Sequence, residues 1–169
     1  MRRLLGLPGL RSLWLRALRA RNERTERRPT EVEPGVFVGG VATRARWTAL
    51  RAAGVTRVVS LFAEASPDPW LTDADGVLWL AVPDTDAPTP EQLRAGCAFL
   101  DEARAQGCKV FIYCGSGIGR APTMYVAWWL RRDSRDVGSG IRIVQDARPV
   151  AQPTPGQRDA LERWARAEG

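Results

Sequence analysis

The sequence predicts an α/β fold, a mostly parallel central sheet flanked by helices to give three layers. Three observations carry the prediction. Short β-branched and aromatic runs recur at Val36–Val38, Val55–Leu61, Val77–Val82 and Val110–Tyr113, too brief for helices and apolar enough for buried strands. Between them lie segments with apolar residues at helical spacing, opened by Thr or Pro and closed by Gly. The resulting strand–helix–strand order favours parallel strands whose C-terminal ends share one sheet edge, where α/β folds bind ligands.

The elements follow in order. Pro29 and Pro34 bracket a short linker, and Val36–Val38 is the first strand. Thr43 caps a helix through Trp47, Leu50 and Ala53, which Gly54 ends. Val55–Leu61 is a buried strand. Residues 63–76, with three Asp, one Glu and two Pro, read as a loop from which Trp70 and Leu71 pack back onto the core. Val77–Val82 is the next strand. The loop from Pro83 to Pro90 is stiffened by three prolines and carries Asp84 and Asp86 on alternating sides, so that one of the two faces the cleft. Thr89, Pro90 and Gln92 make a capping box with proline at the first helical position. That helix buries Leu93, Cys97, Leu100 and Ala103 and stops at Gly107. Cys108 begins the central strand. A bulky helix follows through Trp128 and Trp129, with Arg131, Arg132 and Arg135 near its negative end. Gly138-Ser139-Gly140 breaks the chain before a helix over Ile141–Ala147, and Thr154-Pro155-Gly156-Gln157 opens the last helix with another capping box.

Composition narrows the function. The 169 residues make one domain with room for a core, and they include no histidine, which excludes a Ser-His-Asp triad and any His-ligated metal. Three cysteines (97, 108 and 114), odd in number and without CxxC spacing, argue against a zinc site or a disulfide framework and for a reducing, cytoplasmic setting. The net charge of +6 is unevenly placed. Residues 1–28 hold nine Arg and two Glu, and residues 29–169 hold sixteen basic and seventeen acidic groups. The chain therefore divides into an arginine-rich extension, 1–28, and a nearly neutral main domain, 29–169, and its basic pI is no argument for nucleic acid. In the extension Leu10, Leu13, Trp14, Ala17 and Leu18 recur at helical spacing among Arg11, Arg16, Arg19 and Arg21. One expectation is an interfacial helix that holds the protein peripherally on an anionic membrane, each basic residue adding about 1 kcal/mol; the other is an arm, free or packed on the domain. No apolar run reaches the ~18 residues of a membrane span.

The chemistry concentrates at the end of the central strand. Val110–Tyr113 delivers Cys114, then Gly115, Ser116, Gly117, Ile118 and Gly119, then Arg120 at a helix start. The glycines let main-chain N–H groups turn inward, and the following helix points its positive end at the same place. Arg120 adds a planar fork that suits two phosphate oxygens. A thiol in that field is favoured as the thiolate. Residues 115–120 thus read as a phosphate-binding loop with a nucleophile, Cys114, in its floor. Asp84 and Asp86 lie thirty residues or slightly fewer before Cys114, across one helix and one strand, a path that returns to the same sheet edge.

Cys114 to Arg120 resembles the signature loop of the cysteine-dependent protein tyrosine phosphatases, and within them the small dual-specificity phosphatases, including compact prokaryotic and archaeal ones. The resemblance spans about residues 32–164. Glu33–Gly40 is similar to that family's opening strand, Ala53–Leu61 to its second, and Val82–Pro88 to the loop that carries its general acid, with Asp84 in the aspartate's place. The resemblance implies that Cys114 attacks phosphorus, that Arg120 and the loop hold the phosphoryl oxygens, and that Asp84 protonates the leaving group and later activates water, with no cofactor or metal. It implies a phosphorylated protein as partner, phosphotyrosine first, then phosphoserine or phosphothreonine. The chain lacks the long insertions of larger tyrosine-specific enzymes, which suggests a shallow pocket. Asp86 is the second candidate for the acid, and Gln157 falls where the family keeps a polar residue near the site. Two positions depart from the pattern. Tyr113 stands where the family has His, and Ala121 where it has a Ser or Thr hydroxyl that stabilises the departing thiolate. Two alternatives stand beside phosphatase activity: a pseudophosphatase that binds phosphorylated partners, and a lipid or RNA phosphate hydrolase recruited by the basic arm.

Overall fold

A computed structural model of the chain describes residues 27–67, 71, 73–133 and 136–168. The amphipathic extension up to residue 26, Trp70 and Arg135 lie outside the described residues. The elements are β1 (Thr30–Glu33), β2 (Val36–Gly40), α1 (Arg44–Ala52), β3 (Val55–Ser60), β4 (Gly76–Trp79), α2 (Pro90–Ala105), β5 (Lys109–Cys114), α3 (Arg120–Asp133), α4 (Val137–Ala147) and α5 (Pro155–Glu168). They form one five-stranded sheet in the order β1-β2-β5-β3-β4. β2, β5, β3 and β4 are parallel, and β1 joins the edge antiparallel. β5 is central, as expected of the strand that carries Cys114.

Alternation along the strands sorts the side chains into two cores. Val58, Phe111 and Tyr113 face α1 with Trp47, Leu50 and Leu71. Val59, Val110, Ile112 and Cys114 face α2, α3, α4 and α5 in the larger core. This has a direct consequence for Tyr113. Its ring stacks on Phe111 at 5.4 Å on the α1 side, whereas the Cys114 side chain belongs to the opposite face.

Three local expectations give way to tertiary context. The proline-bracketed linker contains β1, which pairs with β2 and is tied to the rest of the domain through Glu33. Glu33 accepts two bonds from Arg132 (2.9 and 2.7 Å), one from Tyr125 Oη (3.0 Å) and one from Arg104 (3.2 Å). Burial raises the Glu33 carboxyl, but these donors outweigh it and hold the group below its ordinary value. Arg132 therefore has a specific partner besides the helix terminus. Second, Gly138-Ser139-Gly140 does not break the chain but forms the first turn of α4. Asp136 caps that turn by accepting from Ser139 N (2.9 Å), and a Cβ at Gly140 would lie 2.9 Å from both Val126 and the Trp129 ring, so the glycine permits close packing of α4 on α3. Third, β4 ends at Trp79, because the chain turns at Ala81, whose φ is +46°.

Candidate active site

The site lies at the C-terminal edge of the parallel strands, where β5 runs into α3. Cys114 is 1 % exposed, and its Sγ accepts a hydrogen bond from Gly117 N at 3.3 Å. That bond curls the loop around the sulfur and needs Gly117 at φ +75°, a conformation costly for a residue with a Cβ. A Cβ there would also lie 2.3 Å from the carbonyl carbon of Gly39, so the loop rests directly on the end of β2.

Arg120 is the first residue of α3 and is 3 % exposed. Its Nη1 donates to Val82 O (2.7 Å), to Leu61 O (3.4 Å) and to both carboxylate oxygens of Glu64 (2.9 and 3.0 Å). Its Nη2 pairs with Asp84 Oδ1 at 2.9 Å. The Phe62 ring supports the guanidinium, 5.9 Å from its carbon. One nitrogen of the fork is thus anchored to the ends of β3 and β4, and the other is held by an exposed carboxylate.

Glu64 did not emerge from the sequence as a site residue. Partial burial raises its carboxyl, but the Arg120 bonds, with the main-chain amides of Glu64 and Asp84, hold it below its ordinary value. The signal that could have found it is position: it lies four residues past β3, at the ligand-binding edge of the sheet.

Of the two aspartates, the structure brings Asp84 to Arg120. Asp86 is exposed, and its contribution is its main-chain carbonyl, which accepts from Gln157 Nε2 at 2.8 Å. Thr85 between them has φ +66°, and its carbonyl accepts from Thr154 Oγ1 at 3.2 Å. The aspartate loop is therefore held in a strained conformation by the start of α5. Gln157 is 1 % exposed and closes the expected capping box, its Oε1 accepting from Thr154 N at 3.0 Å while Thr154 Oγ1 accepts from Gln157 N at 3.3 Å. Both ends of its amide are engaged by protein, one in the cap and one on the aspartate loop. Ala121 is fully buried, and the nearby Thr123 hydroxyl donates to Gly119 O at 2.9 Å.

Comparison with known proteins identifies the family and the fold. The family model for the dual specificity phosphatase catalytic domain matches residues 36–167. Dual specificity phosphatase 28 of Homo sapiens is 30 % identical over 139 residues, covering 80 % of this chain and 77 % of the relative. Dual specificity protein phosphatase 1 of Arabidopsis thaliana is 28 % identical over 141 residues, covering 81 % and 69 %. Among solved structures, Tk-PTP in its active form superposes with a TM-score of 0.75 at 26 % identity, over 82 % of this chain and 97 % of that one. Human DUSP28 gives 0.73 at 25 % identity, over 83 % and 94 %. The domain match over most of the chain, with the strand–loop–helix that carries Cys114 and Arg120, means that the chain belongs to the dual specificity phosphatase family and is a phosphatase of its compact type.

Proposed function

We propose that Cys114, Arg120 and Asp84 carry out phosphomonoester hydrolysis on phosphorylated proteins, phosphotyrosine first and phosphoserine or phosphothreonine second. The observation that carries the reading is the Arg120 fork. Its Nη1 is spent on structure, while its Nη2 is held by a carboxylate whose side chain is 75 % exposed, a bond that a phosphate oxygen can replace. In the first step the Cys114 thiolate attacks phosphorus in line, the S–P bond forms and the ester O–P bond breaks. Asp84, displaced from Arg120 by the phosphoryl group, takes up the proton that the monoanionic phosphate ester brings and gives it to the departing oxygen. Arg120 and the N–H groups of residues 115–120 hold the equatorial oxygens as charge develops. In the second step Asp84, now a carboxylate, takes a proton from water, which attacks phosphorus and releases phosphate and the thiolate. Asp84 stands at the mouth of the site, which supports a shallow cleft open to more than one phosphorylated side chain.

The comparisons favour this over the binding-module and lipid or RNA alternatives. The three free cysteines support a reducing, cytoplasmic setting. We propose that residues 1–28 bring the domain to an anionic membrane surface, on the strength of their arginine and leucine spacing. The test of the nucleophile is Cys114→Ser, with hydrolysis of para-nitrophenyl phosphate and of a phosphotyrosine peptide measured beside phosphate binding. Hydrolysis should vanish while phosphate still binds. Hydrolysis that survives in the variant would remove Cys114 from the mechanism.

A further inference from the structure

Turning main-chain N–H groups into an anion cradle turns the carbonyls of the same peptides outward, and each buried carbonyl then needs a donor behind the loop. The donors are identifiable one by one. Gly115 O accepts from Val41 N at 3.2 Å, Ile118 O from Gln152 N at 2.7 Å, and Gly119 O from Thr123 N at 2.9 Å. The two carbonyls at the crown of the loop are held by a single side chain. Arg148 Nε donates to Gly117 O at 2.7 Å and its Nη2 to Ser116 O at 3.3 Å. Arg148 is 2 % exposed. Its Nη1 donates to Arg28 O (2.7 Å) and to Thr30 Oγ1 (3.2 Å), so the segment that leads into β1 fixes the other end of the fork.

We infer that Arg148 is a positioning residue for both the nucleophile and the phosphate cradle, acting through two peptide units, with Arg28 and Thr30 completing its seat. The inference rests on the phosphatase reading of the site and extends it to a side chain that touches no substrate. Ser116 C=O and Gly117 N–H belong to one peptide. Arg148 binds its oxygen, and its N–H is the one that donates to Cys114 Sγ. The next peptide, Gly117 C=O with Ile118 N–H, is held the same way by Nε. A cation on the carbonyl end polarises the amide, making its N–H a stronger donor to an anion on the other side. The same bonds set the peptide planes, so that the N–H groups are aimed before phosphate arrives rather than reorganised by it. A buried arginine that served packing alone would have no reason to bind these two carbonyls in particular.

The test uses the full chain. Arg148→Met keeps the stem and removes the fork, Arg148→Lys keeps the charge on a single nitrogen, and Thr30→Val removes one acceptor from the seat while leaving Arg148 in place. Three readouts separate positioning from folding: kcat/KM on para-nitrophenyl phosphate, the alkylation rate of Cys114 by iodoacetamide at mildly acidic pH followed by mass spectrometry, and the affinity of inorganic phosphate for the Cys114→Ser background. Charge-assisted bonds of this kind correspond to about tenfold or more. Arg148→Met should therefore lose at least about tenfold in each readout, Arg148→Lys should recover part of it, and Thr30→Val should fall between parent and Arg148→Met. A cooperatively melting Arg148→Met whose three readouts stay within about twofold of the parent overturns the inference. Should that variant fail to fold, Thr30→Val decides alone, and parent-like values in it overturn the inference. Phosphate binding needs no turnover: a parent that hydrolyses nothing would sink the phosphatase reading, while the Arg148 comparison in the Cys114→Ser background would still be decisive.

Discussion

Replacing Asp84 with Asn separates two things that this carboxylate does in the structure. It pairs with Arg120 Nη2 at 2.9 Å, and it is proposed to protonate the leaving oxygen. The ion pair is weak on physical grounds, because three quarters of the Asp84 side chain is exposed and exposed pairs are worth about 0.2–1 kcal/mol. Removing it should tighten inorganic phosphate binding by no more than about fivefold, since one competitor for Nη2 is gone. Removing the acid is larger, about 10²–10⁴ in kcat, and its size must depend on the leaving group. A phosphotyrosine peptide departs as a basic phenolate and should lose the most, while para-nitrophenyl phosphate departs readily and should lose much less. The assay is kcat and KM for both substrates in parent, Asp84→Asn and Asp86→Asn, with phosphate inhibition measured in each. A loss in Asp84→Asn that is the same for both substrates would refute the acid role. A larger loss in Asp86→Asn would transfer it to the neighbour, whose carbonyl alone the structure ties to Gln157.

The remaining predictions concern the sulfur and the far end of the sheet. Ala121→Ser places a hydroxyl at a fully buried position one residue after Arg120, where the family pattern keeps one. A charge-assisted bond of about 1.5–3 kcal/mol to the departing thiolate should speed breakdown of the cysteinyl-phosphate by about tenfold, read as burst amplitude and steady-state rate; an unchanged rate in a folded variant would count against it. Glu33→Gln should lower the unfolding free energy at neutral pH by about 1.5–3 kcal/mol, since it removes the charge and one of the two carboxylate oxygens that Arg132, Tyr125 and Arg104 share. The Glu33 carboxyl is held below its ordinary value of 4.5, so its contribution is complete above that pH and fades as pH falls through the folded-state value. The stability gap between parent and Glu33→Gln, followed by denaturant titration, should therefore narrow below pH 4.5; a gap that stays constant into acid would show that the charge is not its source.

What the amino-acid order determined by itself is whatever depends on near neighbours. The capping boxes at Thr89 and Thr154, the helix ends before Gly54 and Gly107, the strand that delivers Cys114 and the glycine loop into Arg120 are all written within a few residues of chain. Local bonds and backbone sterics act over that range, so a short window holds the information. Asp84 was legible because one crossover returns it to the edge that holds the loop. Tertiary structure decided the partners. Glu64 reaches Arg120 across 56 residues, Arg148 reaches Gly117 across 31, and Arg132 reaches Glu33 across 99. Those contacts follow from the strand order β1-β2-β5-β3-β4, in which β5 sits between strands that precede it in the chain. The same order explains the misread segments. β1 exists because an edge of β2 was open beside it, and Gly138–Gly140 is helical because Asp136 caps the turn and the Trp129 ring lies against Gly140. No local window contains the identity of a neighbour that arrives from another strand or helix, and it is those neighbours that aim the guanidinium and the loop.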